Sequence, residues 1–435
     1  MSNDPGKIST QFLDQWKNPG DVFSVLLIVG GDVILLALAC VTGRGLTPIA
    51  FSFGWVAYAV SAVVVAVGDN KLLVRCPPEI SLKVINLKSG YERDNKSWLL
   101  GRFFKDYNFW MPNDVKSRLL HPRVRSDEEN GQPISLSSST CRDPADAKVT
   151  LGRSDAALCV AVFKWADGAK PGVPARDWAW WSGIVVSVLQ LGIAAIPWGL
   201  HDNWGIFIAT VAGTLLAYTS ASLPQWKKEK WPTEARNKDI AVTQGNGNQH
   251  VIVILGADHG IDMEDLAAGR APDLLTTRIY TSALAVLWLV LLITCCGIQT
   301  DTWYLLAVGG FGMVQNLMVA SVPRTPAALG LPIELISSGN GGQLVPEIFA
   351  EPKVMWTLME FEDKHPGCGY ALVKEFFPGD LLDWEDKWWK SKDTNERREL
   401  LKDARRKAWE KAHKKAREAR EKREKELQQP QDQSS

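Results

Sequence analysis

Six apolar runs, each close to the length needed to cross a membrane, constrain this 435-residue chain more than any other feature. A helix needs about 20 apolar residues to span the hydrocarbon core of a bilayer. The runs form three pairs with short connections, and they cover residues 22–42, 48–67, 180–200, 203–223, 279–298 and 302–322. The pattern predicts a mainly α-helical fold, a six-span transmembrane bundle made of three helical hairpins.

The paired runs divide the chain into six regions. Two long polar loops separate the hairpins, and a polar region follows the last one. The predicted regions are the N-terminal tail with hairpin 1 (1–67), the first loop (68–176), hairpin 2 (177–223), the second loop (224–278), hairpin 3 (279–322) and the C-terminal region (323–435).

The distribution of basic residues predicts the orientation of the spans. Cytosolic connections carry an excess of Lys and Arg. The short connections have one such residue, Arg44, whereas basic residues flank the spans in the long polar segments: Lys71, Arg75, Lys227, Lys228, Lys230, Arg278 and Arg324. We therefore expect an integral membrane protein with both long loops and both termini in the cytosol. Arg44 is the residue that counts against this topology, and the sequence does not distinguish the plasma membrane from an endomembrane.

The polar loops contain four predicted strands. Residues 83–88, 157–165, 239–244 and 249–256 are rich in β-branched and apolar side chains. The last two flank "GNGN", a strong hairpin signal because glycine and asparagine accept a positive φ. We expect a small cytosolic α/β element built from both loops, with a helix at 95–108. Residues 123–148 are poor in apolar side chains and are predicted to be disordered.

A densely charged segment near the C-terminus, about 393–427, is predicted to be one long helix. Its alanines recur every four residues but are too small to drive a strong coiled coil. The excess of Lys and Arg allows attraction to anionic lipid headgroups or to cytosolic proteins. A solvated helical tail with i,i+4 ion pairs is the alternative, since charge runs are usually solvated.

The stretch "KVINLKSGYERDNKSWLLGRFFKDYN" resembles a family of multi-pass membrane proteins from filamentous fungi that has no assigned activity. Further segments fit the same family: "QFLDQWKNPGDVFSVLLIVGGD", "FSFGWVAYA", "EPKVM" and "EFFPGDL". The resemblance covers nearly the whole chain except the insert at 123–148 and the charged tail. It implies a six-span type of architecture with cytosolic loops, and it implies no catalytic residue or cofactor.

Composition points away from two other classes of protein. The formal net charge is zero, so no overall field favours binding to nucleic acid. The seven cysteines do not form a disulfide framework, because three lie in the apolar runs and the others are expected to be cytosolic and reduced.

The segment "ILGADHGIDMEDLAAG", residues 254–269, is the best candidate for an enzyme-like site. It places a strand before a glycine-containing turn and a helix, but it lacks the spacing of a nucleotide-binding fingerprint. Asp258, His259 and Asp262 are weak candidates for cation ligands. The alternative interpretation is a turn followed by acidic residues in the first turn of a helix, which the helix dipole stabilises. No catalytic motif is recognised, and we expect that the protein is not an enzyme.

Asp32 lies in the middle of the first apolar run and has polar residues at similar depth in other runs. These are Gln190 in the third run and Gln315 and Asn316 in the sixth. An intramembrane carboxylate is by default a functional candidate. Asp32 would then be a proton or cation site of a transporter or channel. Alternatively, a protonated Asp32 donates to one of the three amides and locks the bundle. No Lys, Arg or His lies in any of the six runs, which favours the second interpretation.

The sequence therefore predicts a membrane-embedded scaffold or regulator with cytosolic interaction surfaces. The alternative function is a proton- or cation-linked transporter or channel that uses Asp32.

Overall fold

The computed structural model of the chain describes residues 20–68, 71–120, 156–233, 236–270, 275–340 and 343–428. The predicted disordered insert, 123–148, lies outside these residues. The described chain is mainly helical, with some β-sheet. Four of its helices are long and apolar enough to cross a membrane: Trp178–His201, Gly205–Lys230, Thr276–Cys296 and Thr302–Ser321.

Six helices pack into a closed ring. They are α1 (Gly20–Val41), α2 (Gly54–Gly68), α6 (Trp178–His201), α7 (Gly205–Ala221), α10 (Leu275–Cys296) and α11 (Thr302–Ser321). Around the ring the order is α1, α2, α10, α7, α6 and α11, with α11 packing again on α1. The connections α6–α7 and α10–α11 meet at one edge, where the His201 imidazole and the Asn203 amide both contact the Asp301 carboxylate. We call this the distal edge.

The second apolar run, 48–67, is not a single helix. Residues 47–52 are non-helical, and α2 begins only at Gly54. The two helices α1 and α2 run in the same direction, because Gly30 packs on Gly54 and Leu35, further along α1, lines a cavity with Ser61. The expected first hairpin of two antiparallel spans is therefore wrong: the chain turns back into the ring without helical structure and leaves it along α2.

The end of α1 lies at the edge opposite the distal edge. The carbonyl of Thr42 accepts a hydrogen bond from the ammonium of Lys230, and the Arg44 guanidinium donates to the carbonyl of Pro174. Lys230 and Pro174 lie just beyond the ends of α7 and α6 at that edge. Since α1 has 22 residues, it is about 33 Å long and begins near the distal edge.

A seven-stranded sheet packs against the ring at the edge where α1 ends. Its strands follow the order β2-β1-β4-β5-β3-β6, with β9 also paired to β3. Their bounds are β1 (Lys83–Asn86), β2 (Glu92–Asp94), β3 (Leu158–Trp165), β4 (Ile240–Thr243), β5 (His250–Leu255), β6 (Ile333–Leu335) and β9 (Ile348–Glu351). Among the described strands, only β3 and β5 pair in parallel. The strands β1, β3, β4 and β5 occupy the four segments that the sequence predicts.

Helices cover both faces of this sheet. Towards the ring lie α3 (Trp98–Lys105), α4 (Tyr107–Trp110), α5 (Asn113–Leu120) and α9 (Met263–Ala268), and on the other face lie α12 (Val354–Lys364) and α13 (Cys368–Phe376). We call the sheet with these helices the α/β layer. It is larger than the predicted element, because the C-terminal region adds β6, β9, α12 and α13.

The remaining elements connect or extend the two parts. They are α8 (Pro224–Lys230), a 3₁₀ turn (Ala327–Leu329), a hairpin of β7 (Ser337–Asn340) and β8 (Gln343–Pro346), α14 (Asp383–Lys390) and α15 (Thr394–Gln428). The charged helix α15 is anchored at its start. Leu401 is buried with Trp356 and Trp388, and the Arg405 guanidinium contacts the Glu351 carboxylate at 2.8 Å.

Candidate functional site

A non-helical segment on the axis of the ring is the most unusual feature of the bundle. We call residues 46–53 the axial segment. Near the α/β layer, the carbonyl of Leu46 accepts from the indole of Trp180, and the N–H of Thr47 donates to the hydroxyl of Ser222. Five residues further on, the carbonyl of Phe51 accepts from the Gln190 amide at 2.7 Å. Gln190 lies halfway along α6, so the segment reaches the middle of the ring.

Side-chain amides supply the hydrogen bonds that this backbone would make for itself in a helix. Unpaired backbone groups in an apolar environment cost several kcal/mol each. The N–H of Ala50 donates to Oε1 of Gln315 at 3.4 Å, and its carbonyl accepts from Nδ2 of Asn316 at 3.3 Å. Asn316 also donates to the Ser52 hydroxyl, and Gln190 also donates to the carbonyl of Val308. The three amides therefore hold the axial segment in place.

Glycines on the surrounding helices make room for the segment. A Cβ at Gly183 would overlap the carbonyl of Pro48, and one at Gly312 would overlap the carbonyl of Phe51. At Gly213 of α7, a Cβ would lie 2.6 Å from the ring of Phe51. At these three positions only glycine allows the helix backbone to approach the axial segment this closely.

The structure brings Gln190, Gln315 and Asn316 together at the axial segment. Asp32 is elsewhere. Its side chain is exposed on the outer surface of the ring, and no hydrogen bond or ion pair is present between Asp32 and the described residues. The expected hydrogen bond from Asp32 to one of the amides is therefore wrong. The partners that sequence reasoning missed are backbone groups of the axial segment.

Two amide oxygens beside the axial segment have further bonding capacity. Oε1 of Gln190 and Oδ1 of Asn316 are buried and have no donor among the described residues. Both residues are fully buried. An oxygen in this situation can accept a hydrogen bond or ligate a cation. The axis therefore carries neutral polar groups and no carboxylate.

A second group of buried polar residues joins the ring to the α/β layer. Arg102 of α3 donates to the carbonyls of Ala320 and Val322 at the end of α11, and it pairs with Asp106 at 2.7 Å. Cations at helix C-termini interact favourably with the helix dipole. The carboxylate of Asp106 also accepts the N–H of Arg324 at 2.8 Å.

Arg324 continues this network to the next helix. Its guanidinium lies 2.8 Å from the carboxylate of Asp177, which caps the N-terminus of α6 by accepting from the N–H of Trp180. Arg324 is only 2 % exposed. Lys230 is 1 % exposed, donates to Thr42 at 2.7 Å and lies within 6.0 Å of the Trp98 and Trp231 rings. We call the contacts of Arg102, Arg324 and Lys230 the junction.

The weak metal candidates do not form a cluster. Asp262 is the N-cap of α9, accepts from the N–H groups of Glu264 and Asp265, and pairs with Lys238 at 2.7 Å. The carboxylate of Asp258 accepts from Asn237 instead. Among the described residues, no group of three or more His, Cys, Asp or Glu side chains could hold a metal ion, and His259 is part of none.

The signals for the missed residues are present in the sequence but are not specific. Gly183, Gly309 and Gly312 are visible as small residues, yet small faces equally favour simple helix packing. Lys230 and Arg324 are visible only as basic residues that flank apolar runs. No family model matches the chain, and comparisons with curated proteins and with solved structures likewise give no match.

Proposed function

We propose that the protein is an integral membrane scaffold that holds a cytosolic α/β layer in a fixed position against the bilayer. In this arrangement α1, α6, α7, α10 and α11 cross the membrane, and the axial segment with α2 forms a re-entrant loop. This replaces the six complete spans expected from the sequence. The resemblance to the fungal membrane family is compatible with it but supplies no activity.

The junction is the observation that carries the proposal. A flexible linker would be enough to tether a cytosolic domain, whereas here two buried cations, Lys230 and Arg324, and the partly buried Arg102 bind the ends of α1, α6 and α11 directly. Breaking one buried pair of this type costs about 3–5 kcal/mol. The strength of the junction contacts favours a function in which the position of the α/β layer relative to the ring matters.

The distribution of basic residues supports a cytosolic position for the layer. Lys71, Arg75 and Arg278 flank helix ends at the layer side of the ring, as the positive-inside rule requires for the cytosol. In the topology expected from the sequence, Arg44 would lie in a connection outside the cytosol, where basic residues are disfavoured. In the structure it contacts Pro174 beside the layer, so it fits the re-entrant topology.

This topology places the N-terminus and the α/β layer on opposite sides of the membrane, unlike the expected arrangement with both termini in the cytosol. Translation into microsomes tests it with two glycosylation reporters. The single native sequon, Asn95, should stay unmodified, and an acceptor sequon on an N-terminal extension should receive a glycan. A glycan on Asn95, or an unmodified N-terminal acceptor, would overturn the topology.

The C-terminal half of α15 is the proposed interaction surface of the scaffold. Residues 409–428 carry eight Lys or Arg and five Asp or Glu, and this part of the helix lies beyond the anchor at Leu401 and Arg405. It suits anionic lipid headgroups or acidic protein surfaces. The full chain in nanodiscs should bind vesicles that contain phosphatidylserine more strongly than the chain truncated after residue 408 does. Equal binding would remove α15 as a lipid contact.

A channel or transporter is the second candidate function. It is favoured by the axial segment, because non-helical backbone at membrane depth commonly lines ion or substrate paths. The unpartnered oxygens of Gln190 and Asn316 would then contact the permeating species, and Asp32 would not. Reconstituted vesicles distinguish the two candidates. A scaffold gives no K⁺, Na⁺ or proton flux above protein-free vesicles, whereas flux that Gln190→Leu abolishes would establish the alternative.

A further inference from the structure

We propose that the outer face of α1 and α2 around Asp32 is a docking surface for the transmembrane helix of a partner that carries a lysine or arginine at mid-depth. The inference rests on the proposed membrane placement of the ring, but not on the scaffold function.

The depth of Asp32 makes its exposure unusual. It lies nine residues before the end of α1 and twelve residues after its start, which is about 14 Å and 18 Å along the helix. An aspartate side chain is too short to reach the membrane surface over such distances. Intramembrane carboxylates almost always face the bundle interior or a water-filled cavity. Asp32 does neither, since it is exposed on the outer surface of the ring.

Apolar side chains are exposed on the described parts of α1 and α2. Leu36 of α1 and Val60 and Val64 of α2 are 40 %, 46 % and 68 % exposed. The neighbouring hydroxyl of Ser61 donates to the carbonyl of Ala57 in its own helix at 3.0 Å. The face therefore resembles a helix-packing surface with one carboxylate in it.

The charge on this surface selects the chemistry of the partner. Insertion scales give a cost of about 3 kcal/mol for an aspartate at the centre of a span, and a base at the same depth would offset it. None of the six apolar runs contains Lys, Arg or His. A second copy of this chain would therefore bring carboxylate against carboxylate, so the complementary base must come from a different chain.

Among the described residues, Lys71 is a basic residue beside this face, and its ammonium is engaged elsewhere. Lys71 lines a cavity of about 200 Å³ between α1, α2 and residues 71–75, together with Leu35 and Ser61. Its ammonium donates to the carbonyl of Gly269 at 2.9 Å, on the side of the α/β layer. The cavity lies between the level of Asp32 and the layer, so Lys71 marks the membrane edge of the proposed surface.

Model transmembrane peptides test the proposal on the full chain in lipid vesicles. The probes are leucine-rich helices with a central Lys, a central Gln or only Leu, and binding is measured by energy transfer between donor-labelled protein and acceptor-labelled peptide. The wild type should bind the Lys peptide about tenfold more tightly than the Leu peptide, equivalent to about 1.4 kcal/mol. Asp32→Asn should abolish the difference, and Asp32→Lys should transfer the preference to a peptide with a central Glu.

A displaced acid provides the matched control. Val314 is 55 % exposed on α11, and Val314→Asp in the Asp32→Asn background puts a carboxylate on another face of the ring. Equal Lys-peptide binding by this variant would overturn the assignment to the α1–α2 face, as would a wild type without preference. Self-association that depends on Asp32 would show that the surface binds a second copy of this chain and not a different partner. If washing with carbonate removes the protein from the vesicles, the proposed placement of the ring in the membrane is itself wrong.

Discussion

Glycines that touch the axial segment differ sharply from glycines that do not, and two glycines of α11 that lie two positions apart provide the comparison. Gly312→Ala places a Cβ on the carbonyl of Phe51, whereas a Cβ at Gly310 meets no atom within 4 Å. We expect Gly312→Ala to lower the free energy of unfolding by about 1–3 kcal/mol through overpacking. Gly310→Ala should be neutral or slightly stabilising, since alanine is the better helix former. Thermal unfolding in detergent measures both, and equal effects would contradict the close packing.

Gln190 is expected to stabilise the bundle through the backbone of the axial segment. The variant Gln190→Leu keeps the volume of the side chain but leaves the carbonyl of Phe51 without this donor. An unsatisfied buried acceptor costs about 1–3 kcal/mol, and the melting temperature should fall accordingly. Ser61→Ala is the control, because it removes a polar group from the outer face of the ring. A Gln190→Leu protein as stable as the wild type would show that the amide bond is dispensable.

At the scale of elements, the carboxylate of Glu351 in β9 links the sheet to the start of α15. Burial raises the pKa of this carboxyl to about 7, although the Arg405 guanidinium acts in the opposite direction. The unfolded chain ionises near pH 4.5. Between these two values the folded protein keeps a proton that the unfolded chain has lost, so the free energy of unfolding falls as the pH rises from about 4.5 to about 7.

The variant Glu351→Gln tests this pH dependence because the amide stays neutral and still accepts from Arg405. The free energy of unfolding of this variant should lack the fall that Glu351 causes in the wild type between pH 4.5 and 7. That fall is at most about 3 kcal/mol. Urea unfolding of both proteins at a series of pH values measures the difference between the two curves. The exposed Glu399→Gln on α15 should follow the wild type. Parallel curves for wild type and Glu351→Gln would contradict the raised pKa.

Four strands of the two polar loops, β1, β3, β4 and β5, could be predicted from the sequence because they are short, β-branched and flanked by turn residues, whereas β2 is not among the predicted strands. The strand β3, with the sequence LCVAVFKW, is one example. The strands β6 and β9 have no such pattern of their own. They are three and four residues long and exist because β3 offers them an edge, so only tertiary pairing defines them.

The axial segment could not be predicted from hydropathy. Residues 48–67 are as apolar as a complete span, and a buried extended strand has the same hydropathy as a buried helix. The difference depends on distant residues, since Gln190, Gln315 and Asn316 lie more than 130 positions away and supply the hydrogen bonds. The three amides could be singled out from the sequence, but the backbone that they bind could not.

At the scale of the whole molecule, the junction should make the ring and the α/β layer unfold together. Arg324→Met leaves Asp177, the cap of α6, without its buried cation, and we expect a loss of about 3–5 kcal/mol. We expect one calorimetric transition for the wild type and two for the variant, one for each part. Lys164→Met is the control: it removes an exposed pair with Glu334 on the far strand of the sheet, which is worth at most about 1 kcal/mol. A variant Arg324→Met that melts earlier but in one transition would mean that the remaining contacts, those of Arg102 and Lys230 among them, still couple the two parts, and Arg324 would then lose its role in holding the layer.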